Sequence, residues 1–216
     1  QVETIRVRVQ RFADDFCWTT GGWSASCGII TANSLSGAAP AFEWWTNLTN
    51  TTIPTDPNLQ TGASYYVTTR AVDKAGNIET ALSTVSFTFD NTPPQTFLST
   101  PFANGFYRAA DLGSVGGTAV DYPAGLATVR YNIYNLTGAV WYDPVANSFT
   151  LGSEPTALPA ALTGNAWSKS IANAQNVFTN GHTYQFRKFG ADQVGNSESA
   201  ASAMSSFLVD SSTPNV

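Results

Sequence analysis

"RAVDKAGNIET", residues 70–80, returns as "FGADQVGNSES", residues 189–199, with Asp73 and Asp192, Gly76 and Gly195, and Asn77 and Asn196 in register. A tight turn between two strands needs a residue comfortable at positive φ, which Gly76 and Gly195 supply. The Asp side chains can accept hydrogen bonds from loop N–H groups, and Asn77 and Asn196 tolerate left-handed geometry. The stretch therefore reads as the same hairpin turn written twice. A calcium loop would need more carboxylates close to the turn.

The correspondence extends outward without a gap. "GASYYVTTRAVDKAGN" (62–77) matches "GHTYQFRKFGADQVGN" (181–196), pairing Tyr65 with Tyr184, Val67 with Phe186 and Ala71 with Gly190. The linkers "FDNTPP" (89–94) and "VDSSTP" (209–214) also match, Asp90 with Asp210 and Pro94 with Pro214. Further upstream, Ile5, Val7 and Val9 alternate with Arg6, Arg8 and Gln10, and Val129, Tyr131 and Ile133 alternate with Arg130, Asn132 and Tyr134. That period of two predicts half-buried strands.

Turn signals every ten or so residues and no helical pattern predict an all-β sandwich. The second copy should hold seven strands, near 95–100, 113–120, 127–135, 140–142, 166–171, 183–191 and 202–209, the number expected of a constant-type immunoglobulin topology. The hairpin motif ("AVDKAGN", residues 71–77, and "ADQVGN", residues 191–196) and the Asp-then-Pro linker resemble the bacterial immunoglobulin-like repeats of large surface proteins and adhesins. The resemblance implies tandem immunoglobulin-like sandwiches: residues 1–91 as an N-terminally incomplete domain with a Cys17/Cys27 loop, 92–212 as a complete one, and 213–216 as the start of a further repeat or linker. The long inserts "GIITANSLSGAAPAF" (28–42) and "LGSEPTALPAALTGN" (151–165) depart from the pattern.

The first copy has only residues 1–3 before its matching strand, where the second has a segment long enough for two strands. The expectation is that the strand carrying Ile5, Val7 and Val9 is paired on its open side by another chain or by an upstream segment.

Composition narrows the functional classes. Hydrophobic residues are 43% of 216 and charged ones only 12%, about half the usual share. The surface must rest on Thr, Ser, Asn and Gln, a palette suited to secreted and cell-surface β-proteins. A net charge of −5 argues against nucleic acid, which demands clustered Lys and Arg. Arg6, Arg8 and Arg11 sit at strand spacing and read as a solvated face. No apolar run is long enough for a membrane helix. Cys17 and Cys27, ten positions apart beside Trp18 and Trp23, predict a disulfide closing a short loop. Zinc would need two more ligands, and His182 is the sole histidine.

Catalytic constellations are thin. His182 lies in "TNGHTY" (179–184), at a turn; Asp14 and Asp15 are adjacent and would face opposite ways on a strand; "GSVGGTAV" (113–120) is followed by more β-pattern and is no phosphate loop. Lys188 falls on the inward register beside Tyr184 and Phe186, the placement an isopeptide bond would require, although a side chain reaching out at the sandwich edge is the plainer reading. Trp18, Trp23, Trp44 and Trp45 could form an aromatic platform for sugar rings; the alternative is that, like Trp141 and Trp167, they fill core. Three sequons begin at Asn47, Asn50 and Asn135.

The expected function is a non-enzymatic structural or adhesive segment of a repetitive extracellular protein, a filament, sheath or adhesin stalk, assembling by β-strand complementation. Linkers carrying Asp90, Pro93 and Pro94, and Asp210 and Pro214, should restrict the angle between neighbours. Its partners would be neighbouring copies or repeats of the same protein, with a cell-surface glycan as a second class, and neither nucleic acid nor membrane insertion. No cofactor is expected; calcium at the linker through Asp90 is the one candidate ion. The rival function is a carbohydrate-binding accessory module of a secreted enzyme.

Overall fold

The computed structural model describes residues 2–19, 21–28, 30–31, 34–36, 44–46, 53–199 and 204–214, the segments 30–31, 34–36 and 44–46 by backbone alone. It divides into two compact units, Gln1–Asn91 and Thr92–Val216. Both are built almost wholly of antiparallel strands.

The first unit contains β1 (Val2–Arg11), β2 (Cys17–Thr19), β3 (Gly22–Ser24), β4 (Ile30–Thr31), β5 (Ser34–Ser36), β6 (Trp44–Thr46), β7 (Ser64–Asp73) and β8 (Ser83–Thr88). Its main sheet runs β3-β2-β1-β7-β8 with β4 also on β1, and β5 and β6 form a separate two-stranded ribbon. The alternation read from the sequence sets the register: Val7 lies opposite Thr69 and Val9 opposite Val67, so one face gathers Val7, Val9, Trp18 and Tyr65 into a small core. Residues two apart on a strand share a face, and residues directly opposite across a ladder share it too.

β1 corrects one expectation. Its outer edge is closed by the chain's own residues, with Gln10 opposite Cys17 and Val7 opposite Ile30. A tight turn makes this reachable: Arg11 N–H donates to the Phe16 carbonyl at 2.8 Å, Asp15 takes φ 61°, and the chain doubles straight back. The described strands that end the sheet are β8 on one side and β3 on the other.

The second unit contains β9 (Gln95–Thr100), β10 (Phe106–Tyr107), β11 (Ser114–Val120), β12 (Leu126–Asn135), β13 (Val140–Asp143), β14 (Ser148–Leu151), β15 (Leu158–Pro159), β16 (Ala161–Thr163), β17 (Ala166–Ser170), a one-turn helix α1 (Ala174–Val177), β18 (Thr183–Asp192) and β19 (Met204–Val209). One sheet runs β10-β19-β18-β12-β13-β14 with β15 on β12; the other runs β16-β17-β11-β9. They face each other across one apolar core, Val115, Ala119 and Trp167 from the smaller sheet against Tyr131, Ile133, Tyr184, Phe186, Phe207 and Val209 from the larger. β18 alternates half-buried and buried along its whole length, as a strand with one face in a core must.

The paired glycines of "GSVGGTAV" are structural. β9 comes so close to β11 that a Cβ on Gly117 would lie 1.9 Å from the Phe97 carbonyl oxygen, and one on Gly116 would lie 2.5 Å from that of Trp167. The register between β9 and β11 shifts between these two residues, a bulge only a bare backbone accommodates.

Candidate functional site

The two hairpin turns share one hydrogen-bond network. In the first unit Asp73 Oδ1 accepts the N–H groups of Ala75 and Asn77 at 2.9 and 2.8 Å, and Asn77 Nδ2 donates to Asp73 Oδ2 at 2.8 Å. In the second, Asp192 Oδ1 accepts from Val194, Gly195 and Asn196 N–H at 3.0, 2.7 and 2.8 Å, with Asn196 Nδ2 on Oδ2 at 2.7 Å. Gly76 and Gly195 take φ of 83° and 102°. The Asn77 amide and backbone hold the Asp73 carboxyl below the usual carboxylate range. Asp192 is buried at 3% exposure, with its oxygens turned onto the loop.

A fourth member of the motif escapes a reading confined to Asp, Gly and Asn. Glu79 and Glu198 occupy matching positions, and each carboxylate reaches back along its own hairpin: Ala71 N–H donates to Glu79 Oε2 at 2.9 Å, and Gly190 N–H to Glu198 Oε2 at 2.7 Å. Glu198 goes further and takes Thr96 of β9, through its N–H at 3.0 Å and its hydroxyl at 2.6 Å. The identity of Glu at both places was the available signal.

The units differ at their last strand. Phe207 and Val209 of β19 are 2% and 0% exposed, whereas every residue of β8 is exposed, Val85 at 65% and Phe87 at 38%. Val85 lies opposite Val67 and Phe87 opposite Tyr65, so both project from the face that carries Val7 and Val9. Exposed apolar side chains on a core face, on a strand that ends its sheet, make the strongest candidate interaction surface among the described residues.

Of the two readings of the tryptophans, core filling is the one Trp18 takes. Trp18 is 4% exposed and meets Trp23 edge-on at 5.5 Å, while Trp23 stacks on Tyr65 at 5.3 Å and donates its Nε1–H to the Asn58 carbonyl at 2.9 Å. Trp18 fills the core, and Trp23, half-buried, packs against it from the side. Trp44 and Trp45 stand on β6 opposite Ser36 and Leu35; their side chains, and the sequons at Asn47 and Asn50, lie outside the described residues. The exposed aromatics are others: Phe12, 59% exposed, lies 5.1 Å from Tyr66, and the pair lines an open cleft of about 340 Å³ with Ser64, Ser86, Phe87 and Thr88.

Cys17 and Cys27 form the expected disulfide, with Cα atoms 4.9 Å apart. Closing a loop of this size stabilises by roughly 3 kcal/mol, and the bond fits an oxidising compartment. No described helix is long and apolar enough to cross a membrane. Pro94 is fully buried; Pro93, Asp210 and Pro214 are exposed and Asp90 half-buried. Ser212 N–H donates to Asp210 Oδ1 at 3.0 Å, and Asp210 is held below its ordinary range chiefly by the Ser212 hydroxyl.

Arg6 and Arg8 are half-buried rather than fully solvated, and Arg6 lies directly opposite Arg70. Arg11 chelates Asp14 and lies 5.1 Å over the Trp23 ring. His182 Nδ1 is 3.0 Å from Asn135 Nδ2. Lys188 is 7% exposed, on the inward register, and burial pushes its ammonium down while the Glu198 charge pushes it up.

No protein-family model matches this chain, and no characterised protein matches it either.

Proposed function

We propose that this chain is a non-enzymatic structural segment of a repetitive extracellular protein, made of serial immunoglobulin-like sandwiches. One observation carries the reading: two units of one chain close the same pair of long strands with the same Asp, Gly, Asn and Glu network. The strand orders favour the immunoglobulin comparison. The order β19-β18-β12-β13 opposite β16-β17-β11-β9 agrees with a Greek-key sandwich, and β8-β7-β1-β2 repeats the order of the first of these sheets. In this reading the first unit holds one sheet and the ribbon β5–β6, and has among its described strands no counterpart of β9 or β11. The disulfide and the neutral, Thr- and Ser-rich surface favour an exported protein.

The test is immunogold labelling of intact source cells with antibody against this chain. Gold along surface filaments or a sheath is the expected result. Label confined to the cell interior, with Cys17 and Cys27 recovered as thiols, would overturn the reading.

The second reading, a carbohydrate-binding accessory module, is favoured by the exposed Phe12 against the half-buried Tyr66 and the hydroxyls of Ser64, Ser86 and Thr88 beside them. It calls for saturable polysaccharide binding that Phe12→Ala and Tyr66→Ala abolish.

A further inference from the structure

The second unit shows what belongs on the exposed face of the first. There the edge of β19 is taken by β10, in parallel: Leu208 N–H donates to the Gly105 carbonyl at 2.9 Å, and Asn104 N–H to the Ser206 carbonyl at 2.6 Å. The matching positions on β8 are Thr88 and Ser86. Phe89 directs its N–H to Ala63 and accepts from Gly62, on the β7 side, so by strand alternation the main-chain groups of Thr88 and Ser86 point outward from the sheet.

Glu79 is set for the same partner. It already makes the bond to its own strand that Glu198 makes, and Glu198 spends its remaining capacity on a hydroxyl residue, Thr96. One difference defines the fit. A Cβ on Gly190 would lie 2.9 Å from Thr96 Cγ2 and 3.0 Å from Pro94 Cγ, and the first unit has Ala71 at that place. A strand seated there in the same way meets a real methyl group where the second unit has none. Serine in place of Thr96 keeps the hydroxyl for Glu79 and removes Cγ2, the nearest of these contacts, leaving Pro94 Cγ to give by a few tenths of an ångström.

We propose that the first unit is completed by a strand segment from another copy of the repeat, resembling Thr92–Leu112 but with Ser at the position of Thr96, which pairs with the outer edge of β8, covers Val85 and Phe87, and is held by Glu79. The inference rests on the serial-repeat reading above. Strand addition of this kind draws affinity from main-chain bonds and specificity from side-chain fit.

The experiment uses the whole chain and three synthetic peptides spanning Thr92–Leu112, with Thr, Ser or Val at position 96, followed by amide hydrogen exchange. At about 1 mM peptide the Ser form should slow exchange across residues 83–88 roughly tenfold, with the Thr form binding about tenfold more weakly because of the methyl collision. Val lacks the hydroxyl and should be weaker still. Ala71→Gly should erase the preference for Ser over Thr, and Glu79→Gln should weaken all hydroxyl-bearing peptides. Protection of 83–88 by none of the peptides, or equal binding of all three, overturns the proposal. These outcomes are read apart from cell-surface labelling, so the serial-repeat reading can survive the loss of this one.

Discussion

Glu198 binds Thr96 twice, through the threonine N–H and its hydroxyl, while the same carboxylate holds Gly190. Thr96 belongs to β9 in the smaller sheet and Gly190 to β18 in the larger, so a single side chain fastens the two layers at the hairpin end. Hydrogen bonds to an ionised acceptor are worth more than neutral ones, and removing the acceptor strands two backbone donors. Glu198→Ala should lower the stability of the second unit by about 3 kcal/mol, and Thr96→Val by about 1–2 kcal/mol. Glu79→Ala should cost under about 1 kcal/mol, since its single bond lies at the surface. Denaturant titrations read by hydrogen exchange, which separates the two units, check the ranking; equal losses would contradict it.

The turn carboxylates make a second contrast. Asp73 is held below its ordinary range first by the Asn77 side chain and then by its backbone. A folded-state value below the unfolded 3.8 means the stabilisation is present above that pH and is lost as pH falls through the lowered value. Asn77→Ala should therefore move the Asp73 titration, followed by carboxyl NMR shifts, back toward 3.8. A titration unchanged by that substitution would show the amide has no part in it. Asp192, buried and holding three loop N–H groups, should be the more damaging loss: Asp192→Ala should cost about 2–3 kcal/mol.

Much of the second unit was legible because its signals are local. The alternation of Tyr184, Phe186 and Lys188 places β18, and Gly195 with Asn196 places the turn that follows. What escaped depends on distance. Glu198 looks like a surface acid until β9 lies beside it, and Gly116 and Gly117, read as part of a strand, show their need for a bare backbone only when two neighbouring strands press on them. The error about β1 had the same origin: absent strands were inferred by counting against the second copy, while a turn at Asp15 let β2 and β4 take the vacant edge. For Trp18 and Trp23 the sequence leaves platform and core filling both open, because ring exposure is set by packing partners such as Tyr65, which lies far away in sequence.

Gly117 offers the sharpest steric test. A methyl group there would stand 1.9 Å from the Phe97 carbonyl oxygen, well inside contact distance, and the obstacle is backbone rather than a movable side chain. Gly117→Ala should force β9 away from β11 and destabilise the second unit by more than about 3 kcal/mol. Gly152→Ala, where an added Cβ meets nothing within 4 Å, is the matched control and should change stability by under about 0.5 kcal/mol. Thermal unfolding of the two variants decides the matter, and comparable melting points would refute the close approach.

Lys188 lets the interior be read by pH. It is 7% exposed, directly opposite Tyr131, and burial lowers its pKa from 10.5 against the opposing pull of Glu198. The unfolded chain then binds the more protons between the lowered value and 10.5, so this residue makes stability rise with pH across that window, and its full penalty applies below it. Tyr131 acts oppositely. Burial pushes its phenol up from 10.0 to about 12, which gives stability that is complete below pH 10 and lost as pH climbs toward 12. Lys188→Met should therefore stabilise the second unit at pH 7 by about 1 kcal/mol, and its advantage over the unsubstituted chain should shrink as pH approaches 10. Denaturant midpoints at pH 7, 8.5 and about 10 measure that gap. A gap constant with pH would mean that the ammonium is solvated in the folded state.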